Sequence, residues 1–176
     1  MLKLTFYPES DQPEFIEAAQ QYQKIWDKDG RKIAKTMEKM SKLKFVEKFI
    51  NTLVFEGISS SHPLRLRASY PDGVKKATLI HELGHRLISG NELNAAPDGR
   101  KLDNLASHQL LNLILYDVWV DLYGEKFAEE NVRVESERVP FYEEAWKWAL
   151  SFDKGSRIKK FGDLIAEAQN NEGVAL

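Results

Sequence analysis

The chain has no cysteine. Disulfides are excluded, and so is a thiolate zinc site, which leaves histidine and carboxylate as the available metal ligands. It also lacks any apolar run of the roughly 20 residues that a membrane-spanning helix needs. The opening residues, Met-Leu-Lys-Leu-Thr-Phe-Tyr-Pro-Glu-Ser, do not hold the sustained apolar core of a secretory leader, so the expected compartment is the cytoplasm. An excess of one charge is missing too: 25 Lys and Arg against 27 Asp and Glu give a net charge of −2. That balance offers no general attraction to phosphate backbones, so no nucleic-acid or membrane partner is implied, although Lys42, Lys44 and Lys48 form a local basic segment. No internal repeat or low-complexity segment appears, and 176 residues suffice for one domain, residues 1–176, with a core that needs no covalent staple.

Histidine is scarce, with four in the chain, and two of them fall in His81-Glu82-Leu83-Gly84-His85. Residues four apart lie on one face of a helix, so both imidazoles can reach one cation while Glu82 leans toward the open position of a zinc site. Zinc brings the pKa of a bound water toward neutrality, and a neighbouring carboxylate can take its proton and pass it to a leaving amine. The flanks suit a helix. Pro71-Asp72-Gly73 is a start signal, Ala77, Ile80, Leu83, Leu87 and Ile88 keep a helical period, and Gly90-Asn91 is a stop. Glu82 is therefore the expected general base, and His81 and His85 the expected metal ligands.

The rest of the chain reads as α+β. Pro13 opens a helix whose apolar stripe runs through Phe15, Ala18, Tyr22, Ile25 and Trp26 and resumes at Ile33, Met37 and Met40, with Gly30 as a possible kink. Residues 49–55 are rich in strand formers, 57–63 read as a loop, and 64–70 alternate as a strand with Leu64, Leu66, Ala68 and Tyr70 on one face. Placed just before the metal helix, that strand suits either an edge for an extended substrate or plain core. Residues 91–103, with Pro97-Asp98-Gly99, form a polar loop. An apolar helix over 106–123 follows, then a short strand at Val132-Arg-Val-Glu-Ser, and helices over 140–152 and 156–169.

A catalytic zinc site needs a third protein ligand. Asp117 and Asp121 share a face of the apolar helix, where two unpaired carboxylates are costly and a cation relieves the cost. Asp117 is the expected ligand, and Asp121 the expected acceptor of the outer N–H of His81. His108 is the runner-up, since imidazole suits zinc, but it stands half a helical turn off the Asp117 face; later acids such as Glu135 complete the candidates. His62, before Pro63, reads as a loop residue. The oxyanion donor is left among Tyr116, Tyr123, Tyr142, His108 and Arg138, each of which also has a packing role.

The two segments, His81-Glu-Leu-Gly-His85 and Asp117-Val-Trp-Val-Asp121-Leu-Tyr-Gly124, resemble the gluzincin metallopeptidases, the thermolysin-like class of zincins. Asp117 stands where that family has Glu, and Asp121 where it has the Asp that supports the first motif histidine. The resemblance implies a minimal zincin-like fold: an N-terminal helix and small sheet packed on a metal-binding helix and a ligand helix, with C-terminal helices. It also implies zinc as cofactor, a peptide or protein substrate and peptide-bond hydrolysis. The alternative is a catalytically silent or latent binding module that keeps the fold.

Overall fold

The computed structural model describes residues 2–93 and 101–172, so Pro97-Asp98-Gly99 lies outside the described residues. The architecture is α+β: three strands, β1 (Lys3–Pro8), β2 (Phe49–Phe55) and β3 (Arg65–Arg67), and six helices, α1 (Pro13–Ser41), α2 (Asp72–Gly90), α3 (Asn104–Tyr123), α4 (Glu125–Ser136), α5 (Pro140–Leu150) and α6 (Lys154–Glu172). No helix among the described residues is long and apolar enough to cross a membrane.

β1 and β2 are parallel, with Leu4 opposite Ile50 and Phe6 opposite Thr52, and α1 makes the crossover between them. The six-residue β1 is not anticipated by the sequence reading, because only Leu4 and Phe6 of its stretch alternate into the core. α1 runs through Gly30 as one helix. A Cβ at that position would sit 2.6 Å from the Trp26 indole, so the missing side chain gives the ring its place along the helix instead of marking a break. Trp26 and Tyr22, Ile33 and Met37 on the same stripe are buried beneath the sheet.

β3 is also parallel to β2, with Val54 opposite Leu66, giving the sheet order β1-β2-β3. A parallel return normally takes a dozen residues or more. Here a shorter loop suffices because β3 is only three residues long and enters at the level of Leu53. The expected longer strand is therefore trimmed, yet its alternation is present: Leu64, Leu66 and Ala68 are buried, and the pairing extends through Leu53 N–H to the Leu64 carbonyl (3.1 Å) and Ala68 N–H to the Phe55 carbonyl (2.8 Å).

α2 begins directly after β3 and is buried from Ala77 to Gly84 on every side, between α1, α3 and α4. A helix with no solvent face has its polar groups in the interior, where each needs a partner. Lys75 meets this requirement with Gln21 (2.7 Å). Gly84, inside the histidine motif, sets how closely α3 approaches: a Cβ there would stand 2.4 Å from Leu111 Cδ1. The short strand expected at Val132-Arg-Val-Glu-Ser is instead the end of α4. Ala128, Asn131 and Glu135 are buried at helical spacing, and the helix is already established from Glu125 by the good helix formers of Glu-Lys-Phe-Ala-Glu-Glu.

Candidate metal centre

α2 presents His81 and His85 one turn apart, and the first turns of α3, starting at Asn104, lay His108 against them. His85 Nε2 is 3.2 Å from His81 Nε2 and 3.2 Å from His108 Nε2. A tetrahedral zinc with Zn–N bonds of about 2.0–2.1 Å separates its nitrogens by roughly 3.3 Å, so the observed spacing suits the ion.

The outer ring nitrogens support the same orientation. His108 Nδ1 donates to the Asn104 carbonyl at 2.6 Å, which leaves Nε2 with its lone pair toward the other two rings. His81 Nδ1 stands 2.9 Å from Glu135 Oε1, an approach out of line with the ring N–H, and neither atom has another hydrogen-bond partner among the described residues. Glu135 is held from its other side by Trp146 Nε1 at 3.0 Å. His85 Nδ1 faces Ser107 Oγ at 3.4 Å. All three rings thus turn Nε2 toward one another and Nδ1 to a polar neighbour, the side from which a metal-binding histidine is ordinarily supported.

Burial and mutual repulsion set the charges. Burial, then the neighbouring His81 and His108, hold His85 well below the ordinary histidine range, and burial with His81 brings His108 down to about 4. Neutral imidazole is the form that binds metal. Burial works against protonation of His81 as well, but the Glu135 carboxylate outweighs it and holds this ring above the ordinary value. Glu82 is buried, and burial pushes its carboxyl up to about 7. It lines the cleft without a hydrogen-bond partner among the described residues, so its proton-accepting oxygens are uncommitted.

The centre opens into a cleft of about 390 Å³. It is lined by Ser59, Ser60, Ser61 and His62 of the loop before β3, by His81, Glu82 and His85 of α2, by Lys101, Asn104 and Ser107, and by Tyr142 of α5. All four histidines of the chain line this one cavity. His62 is therefore more than a loop residue: its ring bonds Ser61 Oγ (3.1 Å) and Ser89 Oγ (3.2 Å) at the cleft wall, outside the triad.

Asp117 is not at the centre, and the ligand role expected for it is corrected here. Arg157 of α6 binds its carboxylate through two nitrogens, Nε to Oδ2 at 3.0 Å and Nη2 to Oδ1 at 3.1 Å, and donates a further bond to the Phe152 carbonyl. Asp121 is likewise far from its expected place behind His81: it pairs with Lys154 at 3.5 Å, and Glu135 takes the position beside His81. The buried carboxylate did need a cation, and a guanidinium supplies it. Removing one member of such a pair leaves the other charged and buried, at a cost of about 3–5 kcal/mol. Asp117→Ala is accordingly expected to lower the free energy of unfolding in urea by that amount while metal uptake by the three histidines is unchanged. Glu135→Ala is expected to do the reverse in kind, weakening zinc binding about 10–100-fold, the usual cost of losing a partner behind a ligating histidine. Competition against a chromophoric chelator measures both.

Comparison with protein-family models, curated proteins and solved structures finds no match to this chain.

Proposed function

We propose that the chain is a zinc-dependent peptidase of minimal zincin-like form, with His81, His85 and His108 as the metal ligands and Glu82 as general base. The observation that carries this reading is the convergence of three histidines, with His85 Nε2 at 3.2 Å from both His81 Nε2 and His108 Nε2, beside a buried glutamate that has no hydrogen-bond partner among the described residues and lines an open cleft. The likeness to gluzincins narrows to the His81–His85 segment, since the ligand it assigned to Asp117 is replaced by His108 and the support it assigned to Asp121 by Glu135. The alternative of a catalytically silent module was motivated by Asp117 standing where the family has Glu, and that residue is paired with Arg157 away from the three histidines.

A zinc ion held by His81, His85 and His108 would supply Lewis acidity toward a carbonyl and a water. The chain's own groups do the rest. Glu82 takes the proton as water adds to the scissile carbonyl carbon, then returns it to the amide nitrogen as the C–N bond breaks. The oxyanion donor can now be named. Tyr123 donates to Asp29 Oδ2, Tyr116 lies against the Arg157 guanidinium, Arg138 stacks on Tyr70, and His108 belongs to the triad. Tyr142 alone lines the cleft with a hydroxyl that has no partner among the described residues; its ring lies 4.5 Å from that of His108. Burial, reinforced by Glu135 and Glu82, holds this phenol protonated, as a hydrogen-bond donor must be. Tyr142→Phe is expected to lower kcat about 100–1,000-fold with KM little changed, the usual loss of one oxyanion donor.

Two measurements test the proposal together. Elemental analysis of protein purified without chelator is expected to give one zinc per chain, and a broad peptide library is expected to show cleavage that a chelator stops and zinc restores. Absence of zinc with no uptake on titration rejects the metal centre; zinc without cleavage of any peptide rejects the peptidase.

A further inference from the structure

A parallel sheet is ordinarily covered on both faces. Here α1 and α2 cover one face, and among the described residues nothing covers the other. Among the described residues, two of the large apolar side chains left exposed lie on this face: Phe49 (72%) and Tyr7 (49%).

The strand register orders the bare face into rows about 6.7 Å apart. The first holds Lys3 opposite Phe49, the second Thr5 opposite Asn51, the third Tyr7, Leu53 and Arg65 in line, and the fourth Phe55 opposite Arg67. Every row with an aromatic ring also carries a cation. The Lys3 ammonium stands 5.7 Å from the Phe49 ring centre, and the Arg65 guanidinium 5.9 Å from that of Phe55. None of the first three rows contains a carboxylate. The basic segment of residues 42–48 runs into the first row, where the Lys48 carbonyl accepts the Lys3 N–H at 2.9 Å. Arg67 is neutralised by Glu56, so the uncompensated cations of this face are Lys3 and Arg65, against a single acid, Glu9, just past the end of β1.

From this arrangement we infer that the open sheet face binds single-stranded nucleic acid, with Phe49 and Tyr7 as stacking platforms and Lys3 and Arg65 along the phosphates. Exposed aromatics on a sheet, interleaved with hydrogen-bonding and cationic side chains, give bases a π-face and the backbone a counter-charge at once. The same pattern disfavours the other covers. A second copy packed face to face would bring these cations together, and a lipid surface would bury the polar row of Thr5 and Asn51 against acyl chains. The site is separate from the metal centre, so it stands or falls without the peptidase.

Fluorescence anisotropy with labelled dT and rU 12-mers tests it on the full chain. Saturable binding is expected in the range of roughly 1–100 μM at 50 mM salt, weakening roughly ten-fold at 200 mM salt as two to three phosphate contacts are screened. Phe49→Ala and Tyr7→Ala, both at exposed rings, are each expected to weaken binding about five-fold or more. Lys3→Glu should weaken it as well, whereas Lys126→Glu on α4 should not. The inference is overturned by no saturable binding at 50 mM salt, or by binding that Phe49→Ala and Tyr7→Ala leave unchanged. It is equally overturned if those variants instead abolish binding to anionic vesicles or self-association while the oligonucleotides do not bind.

Discussion

Replacing His108 with alanine is expected to abolish zinc binding at the proposed centre. The three Nε2 atoms form the whole convergent set found among the described residues, and two histidines alone leave a tetrahedral ion half unprovided for. The loss should exceed the 10–100-fold typical of an outer partner such as Glu135, since a ligand bond itself goes. The informative comparison is with Asp117→Ala, which removes the buried partner of Arg157 on the opposite side of α3 and should keep zinc while losing stability. His62→Ala is the third arm: it empties a position on the cleft wall but touches no ligand, and zinc should stay. Zinc retained by His108→Ala and lost by Asp117→Ala would return the ligand to the carboxylate and dismantle the centre described here.

How much of this was legible depends on the range of the interaction. The His81, Glu82 and His85 arrangement needs only helical spacing, and the alternation of residues 64–68 needs only the pleat of a strand, so both are visible in a short window. The third ligand requires the packing of α3 on α2, which turns on Gly84 making room for Leu111, a contact no local window contains. The burial argument for Asp117 was sound about cost and wrong about the cation: Arg157 lies 40 residues on, and only the docking of α6 brings it in. His108 and Asp117 are nine residues apart on one helix, about two and a half turns, so they lie on opposite faces and cannot both reach His81 and His85. β1 and the parallel register likewise depend on the α1 crossover, not on any strong pattern within six residues.

Glu82→Gln carries the second large effect. The amide keeps the size and burial of the side chain but cannot accept a proton, so the variant should fold, bind one zinc and lose about 100–10,000-fold in kcat, the contribution of a positioned acid–base group. Three features of the site make this the sharp test of mechanism. Glu82 lines the cleft with no hydrogen-bond partner among the described residues, so the substitution breaks no visible structural contact. Burial already brings its carboxyl up to about 7, where proton uptake and release are balanced near neutral pH. The Nδ1 atoms of His81 and His85, the proposed ligands, face Glu135 and Ser107 and not Glu82, so zinc stoichiometry should be untouched. Thermal melts and zinc analysis on the same preparations separate lost chemistry from lost structure: equal turnover by the variant and the parent removes Glu82 from the reaction, while a variant that has shed its zinc shows that the carboxylate holds the centre together instead of acting on the water within it.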